Sequence, residues 1–390
     1  MGHKIPDNPG EARPQKLRVL QIIAAPELGG IENQLLAFLE RCDHSHFAVD
    51  VACTDSVEGT LQGAYLEAET ELIPCRWSRY IVPFVWRLRQ LLRRKKYDVL
   101  HARMSEVSGA ALLAARLAGV PVRIASFHHT KIDWSKTGIL NHCVVSILRY
   151  MTRRFATGIL GISQGCLDTY YSDWRQYPEK FRVVYNGVDM ERFSQRTPSA
   201  DVRQELGFPA ASFIVGHVGS FRRAKNQKIL LEIASRVLKE VDNAYFLLVG
   251  DGALRSEVKR KAEVMQLAER FVFTGSRTDI PKMFAAMDVF VMPSLHEGFG
   301  TVAIEAQLSG LPVVASDLPC LREALCPSLV KFCRPPTDSA GMAEQVLLLL
   351  QNPHLRNTLG EQARQFVAAR FSIDKTVRQL ERIYRGTLEE

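Results

Sequence analysis

A chain of 390 residues, 46% hydrophobic and 24% charged, is long enough for two domains with separate cores, and its composition excludes wholesale disorder. It contains no apolar run of about eighteen residues and no apolar segment after a basic start, so neither a spanning helix nor a signal peptide is expected. The formal charge of +8 suits an anionic partner (nucleotide, nucleic acid or acidic membrane surface) without choosing among them.

Residues 1–16 are polar, carry three prolines and predict a flexible tail. The run 17–25 (LRVLQIIAA) predicts a buried parallel strand, followed by a glycine turn and an amphipathic helix over 33–41. A helix opened by glycines leaves its first amides bare for an anion, so Gly29 and Gly30 are candidate ligand contacts. The turn lacks the three spaced glycines of a dinucleotide fingerprint, which disfavours an oxidoreductase. Strands at 47–53, 99–102 and 122–126, with an Ala/Leu-rich helix at 108–118, continue the alternation. His128 and His129 stand just past the last of these strands, where ligands of open α/β sheets bind. His101, near the end of the strand 99–102, reads either as a structural histidine or as a second cleft residue.

Two stretches, 81–96 (IVPFVWRLRQLLRRKK) and 139–155, place basic residues beside apolar ones at helical spacing. Each reads either as a helix packed on a sheet with a solvated basic face or as a helix lying on an anionic membrane. A strand at 158–163 and a helix at 164–171 lead to Asn-Gly-Val-Asp at 186–189, and polar residues 194–201 read as a linker. A second series opens with the strand 213–218, the turn Gly-Ser-Phe-Arg-Arg-Ala-Lys-Asn at 219–226 and a helix over 227–239. Lys225 there is a compact point charge placed for a phosphate, with Arg222 and Arg223 as neighbouring cations. A strand at 245–249 precedes Gly250-Asp251-Gly252, a weak nucleotide signal by itself.

The stretch 295–314 (LHEGFGTVAIEAQLSGLPVV) organises the rest. A buried strand at 289–292 runs into a glycine turn that opens a helix over 301–308, an anion-friendly helix start. Glu297 in the turn and Glu305 eight positions later can look into one crevice, and carboxylates are strong acceptors for sugar hydroxyls. This Glu-Gly-Phe-Gly turn and its Glu-x7-Glu spacing resemble the signature of retaining glycosyltransferases of the GT-B fold, family 4 (glycosyl transferases group 1), and the likeness spans nearly everything after residue 17.

The resemblance implies an α/β protein of two Rossmann-like domains facing each other across a cleft, with a C-terminal helix crossing back to the first. The boundaries expected are an acceptor domain over 17–192, completed by a helix at 373–390, and a nucleotide-sugar donor domain over 193–372. It implies that Glu297 and His128 (or His129) face the donor hexose as the catalytic pair, and that Glu305 holds the ribose. It implies that Ser220, Arg223, Lys225, Gly252, Arg277, Gly298, Phe299 and Gly300 complete the donor site, and that Gly29 and Gly30 serve the diphosphate or the acceptor. Ser220 stands where relatives carry an arginine, a position that Arg222 or Arg223 would fill, and Cys320 stands where glycine is common. The segment 317–325 resembles a loop beneath the diphosphate, with Glu323 in step. Across 274–277 relatives hold the base largely through backbone groups.

No Asp-x-Asp occurs, so no metal and no cofactor is expected. The eight cysteines form no Cys-x-x-Cys pair and read as reduced, mostly buried thiols of a cytoplasmic protein. The partners expected are a nucleotide-diphosphate sugar and a sugar or lipid-linked acceptor, with peripheral contact to an anionic membrane and no nucleic acid. The competing readings are a non-catalytic sugar-nucleotide-binding subunit and a nucleotide-sugar epimerase of the same fold.

Overall fold

The computed structural model describes residues 16–27, 29–77, 81–130, 139–193 and 199–386, with backbone alone at 139–142. The expected tail lies outside the described residues apart from Lys16, as do residues 194–198 of the expected linker. Seven strands, β1 (Leu17–Ile23), β2 (Phe47–Cys53), β3 (Leu72–Pro74), β4 (Val99–Ala102), β5 (Val122–Phe127), β6 (Gly158–Gly161) and β7 (Phe181–Val183), form a sheet of order β3-β2-β1-β4-β5-β6-β7. Five more, β8 (Phe213–Val218), β9 (Ala244–Val249), β10 (Phe271–Gly275), β11 (Val289–Met292) and β12 (Val313–Ala315), form a sheet of order β10-β9-β8-β11-β12.

Parallel strands need crossover helices on both faces, which is why the strands read as continuous apolar runs rather than alternating ones. Each sheet reverses its direction of growth once. The reversal lies between β1 and β4 in the first and between β8 and β11 in the second. Ligands of open α/β sheets bind beyond the carboxyl ends of strands at such reversals, so the order alone nominates two places.

The chain forms two compact units. One comprises Met1–Ala125, Cys143–Gly158 and Glu381–Glu390, and the other Ser126–His142 and Ile159–Leu380. The core of the first includes Phe38, Phe47 and Phe84, and Tyr384 from the final helix Ile373–Tyr384 is buried among them, edge-on to Phe38. Its hydroxyl accepts from Gln21 Nε2 at 2.6 Å and lies 2.7 Å from His101 Nδ1. A buried hydroxyl needs such partners, and His101 supplies one of them. In the second unit Phe246, Phe271, Phe284 and Phe290 belong to one continuous core.

Most expected elements lie within a residue or two of their observed ends, and three segments differ. The strand β3 is only three residues long, too short for a pattern, and exists because it pairs with β2 through Val51 and Leu72. The expected linker contains a helix, Ser199–Glu205, held by Val202 in the core and by Arg203 against Asp288 at 2.8 Å. The expected loop 317–325 contains the helix Pro319–Ala324, with proline in its first turn, where the missing N–H costs nothing.

The basic stretch at 81–96 is a helix, Ile81–Lys95, whose apolar face packs into the core through Phe84, Val85, Leu88 and Leu92. Arg89 Nε donates to the Leu117 carbonyl at 3.2 Å. Val82 and Trp86 remain exposed on its first turns. Among the described residues no helix is long and apolar enough to cross a membrane. Seven cysteines are buried, Cys143 is exposed, and all eight are free thiols.

Candidate functional site

At the reversal of the second sheet the chain leaves β8 through the turn 219–226 and leaves β11 through the turn 293–300. Arg223–Lys225 form one short 3-10 turn, ended by Asn226 in the left-handed region at φ 55. Asn226 tolerates that conformation because its side-chain amide donates to the carbonyls of Pro293 at 3.1 Å and Pro336 at 2.9 Å. Lys225 is thereby turned inward. Its Nζ lies 2.6 Å from Glu297 Oε1, and the Ser294 hydroxyl donates to the same oxygen at 2.6 Å. The two side chains are only 10% and 9% exposed, so they form a buried ion pair.

His217, near the end of β8, lies beneath this pair and is fully buried. Burial pushes its pKa down to about 4, with Lys225 adding to the effect and Glu297 opposing it. The ring is therefore neutral, with Nδ1 donating to the Val291 carbonyl at 3.0 Å. Among the described residues Nε2 has no hydrogen-bond partner.

The turn that carries Glu297 is clamped through its carbonyls. The Glu297 carbonyl accepts from the Thr130 hydroxyl and from Cys320 Sγ at 3.3 Å. The Gly298 carbonyl accepts from Ser163 Oγ at 2.7 Å and Cys166 Sγ at 3.3 Å. Burial pushes the Cys166 thiol up to about 12, which keeps it a proton donor. His128, buried in the same unit, lies so close that a Cβ at Gly298 would stand 2.9 Å from the His128 carbonyl carbon. Gly300 caps the helix Thr301–Leu308 with φ 90, and a Cβ there would also strike Leu321. Phe299 is buried and stacks on Tyr185 with centroids 5.0 Å apart.

Glu305 follows in that helix. Burial pushes its pKa up to about 7, partly offset by the Arg192 charge. A carboxyl raised above its ordinary value of 4.5 contributes stability that is complete below that value and lost as pH rises through about 7. Glu305→Gln should therefore melt above the parent at about pH 8 and level with it near pH 4.5. Thermal unfolding at both pH values checks this, and a variant no more stable at the higher pH would refute it.

Two family models divide the chain between them. The one described as Glycosyltransferase Family 4 matches residues 28–192, and the one described as Glycosyl transferases group 1 matches residues 199–366. The chain belongs to the GT-B glycosyltransferases of family 4. It is 29% identical over 317 residues to the UDP-Gal:alpha-D-GlcNAc-diphosphoundecaprenol alpha-1,3-galactosyltransferase of Escherichia coli, covering 78% of this chain and 80% of that one. It is 26% identical over 365 residues to the GDP-mannose-dependent monoacylated alpha-(1-6)-phosphatidylinositol monomannoside mannosyltransferase of Corynebacterium glutamicum, covering 89% and 92% respectively. Anabaena HepE in complex with UDP-glucose matches with a TM-score of 0.80 at 21% identity, over 95% of this chain and 100% of that one.

In this glycosyltransferase the expected site residues separate into two groups. Lys225, Glu297, Gly298, Phe299, Gly300 and His128 converge on the reversal of the second sheet, with Glu305 about one turn into the helix Thr301–Leu308. Ser220, Arg222 and Arg223 lie exposed on the outer side of the 219–226 turn. Gly252, at φ 147, is needed for close approach: a Cβ there would stand 2.7 Å from the Phe221 carbonyl oxygen. Arg277 is engaged with Asp279 through two bonds of 2.8 and 2.6 Å. Gly29 caps the helix Gly30–Arg41 of the first unit.

Glu323 has a use that sequence alone did not show. It accepts from the amides of Gln164 at 2.8 Å and Gly165 at 2.9 Å, capping the helix Gln164–Tyr170. The clamp residues Thr130, Ser163 and Cys166, and the buried His217, also escaped sequence reasoning. Only Ser294, three residues before Glu297, carried a local signal.

Proposed function

We propose that this glycosyltransferase moves a hexose-type sugar from a nucleotide-diphosphate donor to an acceptor hydroxyl, with retention and without a metal. The observation carrying this reading is the buried Lys225–Glu297 pair, held by a clamped turn at the sheet reversal. A diphosphate arriving there would draw Lys225, and Glu297 Oε2 would accept from the sugar hydroxyls. The bond from the anomeric carbon to the diphosphate oxygen breaks, a bond to the acceptor oxygen forms, and the acceptor proton passes to the departing diphosphate. Charge on that leaving group falls to Lys225, an arginine of 222 or 223, and the amides of Gly298 and Gly300 at the helix start. His128 lines the reacting face and Glu305 takes the ribose. Phe299, Ser220, Gly252 and Arg277 border the donor, and Gly29 and Gly30 serve the diphosphate or the acceptor.

The donor class is supported by the relatives, since UDP-Gal, GDP-mannose and UDP-glucose stand in the names of the three proteins described above. Retention is supported by the alpha products named for two of them, because an α-linked donor that yields an α-glycoside keeps its configuration. The diphosphoundecaprenol in the Escherichia coli name supports a lipid-linked acceptor. The exposed Val82 and Trp86 beside the basic helix Ile81–Lys95 suit contact with a membrane.

Calorimetric titration with UDP-, GDP- and ADP-sugars, followed by assay of sugar release, tests the reading. We expect one nucleotide class to bind and turn over. Binding to none would overturn the donor assignment, and binding without turnover across many acceptors would make the chain a subunit rather than an enzyme.

A further inference from the structure

Beside the Lys225–Glu297 pair lies an acceptor that the proposed reaction does not use. His217, near the end of β8, is 1% exposed. Its Nδ1 lies 3.0 Å from the Val291 carbonyl on β11, and since a carbonyl can only accept, the ring proton is on Nδ1. The ring is neutral, because burial penalises its charged form and the Lys225 ammonium adds to that penalty. Nε2 therefore carries a bare lone pair, buried, with no hydrogen-bond partner among the described residues. An acceptor left so is costly to the fold and calls for an explanation.

Gly219 shows which donor can reach it. The position that a Cβ would take on Gly219 lies 3.3 Å from His217 Nε2, and 3.6 and 3.7 Å from Cδ and Cε of Lys225. The missing side chain thus leaves one small gap bordered by both the lone pair and the end of the lysine stem. Other donors around that turn are committed: the Gly219 amide to the Val249 carbonyl at 2.9 Å, Gln227 Nε2 to the Ser220 carbonyl at 2.8 Å, and the Ser294 hydroxyl to Glu297. An ammonium carries three donors on a flexible stem, and that of Lys225 gives one to Glu297 Oε1 at 2.6 Å. While the pair is closed the ammonium is held at Glu297, and Nε2 is left over. Once the pair opens, a buried ammonium needs another acceptor within reach of its stem.

We infer that His217 is a positioning residue for Lys225: whenever Glu297 is withdrawn from the ion pair, His217 Nε2 accepts a hydrogen bond from the ammonium and holds it at the sheet reversal. A neutral acceptor suits that task, because it directs the ammonium without cancelling the charge that a diphosphate needs. The role in the loaded enzyme rests on the glycosyl-transfer reading above: sugar hydroxyls take Glu297 while His217 keeps Lys225 against the diphosphate. The seat itself does not rest on that reading.

The test uses the full chain with isotope-labelled histidine, in which the Nε2 nitrogen resonance of His217 reads whether its lone pair accepts a hydrogen bond. In Glu297→Ala that resonance should move upfield from its place in the parent, and in Lys225→Met/Glu297→Ala it should return. A resonance that stays in place in Glu297→Ala, or that stays shifted when Lys225 is also replaced, overturns the inference. Should Glu297→Ala fail to fold, Glu297→Gln gives the same readout. The loaded state is read by calorimetric titration with inorganic pyrophosphate. His217→Asn keeps an N–H in the place of Nδ1 and loses the far acceptor, whereas His217→Gln offers an oxygen near the place of Nε2 and loses the bond to Val291. His217→Asn should weaken pyrophosphate binding about tenfold or more, and His217→Gln less than about threefold. Losses that are equal or in the reverse order make His217 purely structural and overturn its role in the loaded enzyme. A parent chain that binds no pyrophosphate overturns the diphosphate reading and leaves the Glu297→Ala result standing.

Discussion

Glu297→Gln should reduce sugar transfer by about 10²-fold or more and destabilise the second unit by about 3 kcal/mol. The two effects have different origins. Loss of activity follows from removing the carboxylate proposed to hold the sugar. Loss of stability follows because Lys225 Nζ, 2.6 Å away and 10% exposed, is left as an uncompensated buried charge. Removing one partner of such a pair costs more than the pair contributes over apolar residues of similar shape. Lys225→Met should therefore destabilise comparably, with Glu297 left to the Ser294 hydroxyl alone as its neutral donor. The double variant Lys225→Met/Glu297→Gln should recover most of the lost stability, since no charge is then stranded, and should still transfer no sugar. Thermal unfolding and a transfer assay on the three variants separate structure from chemistry. A double variant that transfers at the parental rate would show that the ion pair is purely structural.

Gly298→Ala is expected to be strongly disruptive, costing roughly 3 kcal/mol or more. The added methyl would stand 2.9 Å from the His128 carbonyl carbon and 3.0 Å from Ile162 Cδ1. Backbone cannot yield as a side-chain tip can. The turn cannot slide away either, because the Gly298 carbonyl is fastened to Ser163 and Cys166 and the Glu297 carbonyl to Thr130 and Cys320. In thermal unfolding this amounts to a fall of about 6 °C or more for the second unit. Gly30→Ala is the control, since a methyl there meets nothing within 4 Å and begins a helix. Its melting temperature should match or exceed that of the parent. A Gly298→Ala variant that melts with the parent would mean that the approach of His128 is not a packing constraint.

These two substitutions show how far local pattern reaches. Val289–Met292 reads as a strand because four apolar residues precede a glycine turn, and Thr301–Leu308 reads as a helix because the turn opens it. The spacing of Glu297 and Glu305 is likewise a local fact, which is why this turn and the helix after it were legible from sequence. Lys225 was legible as a cation at a turn after a strand. Its pairing with Glu297 was not, because 72 residues separate the two and only the adjacency of β8 and β11 brings them together. Gly298 looked like part of a phosphate-binding turn, and the packing adds a reason that has nothing to do with phosphate. Glu323 reads from sequence either as part of a loop beneath the diphosphate or as a surface acid, and the fold uses its carboxylate to cap the helix Gln164–Tyr170.

Periodicity, glycine turns and short-range spacing are written along the chain, so the alternating architecture and the two glutamates could be read without coordinates. Charge state and partnership depend on what is packed around a group. A carboxyl such as Glu305 is pushed up to about 7 only by burial, and the tautomer of His217 is fixed only because two strands far apart in sequence lie side by side. The order of strands decided which turns face the same place, and the density of packing decided what each side chain there must do.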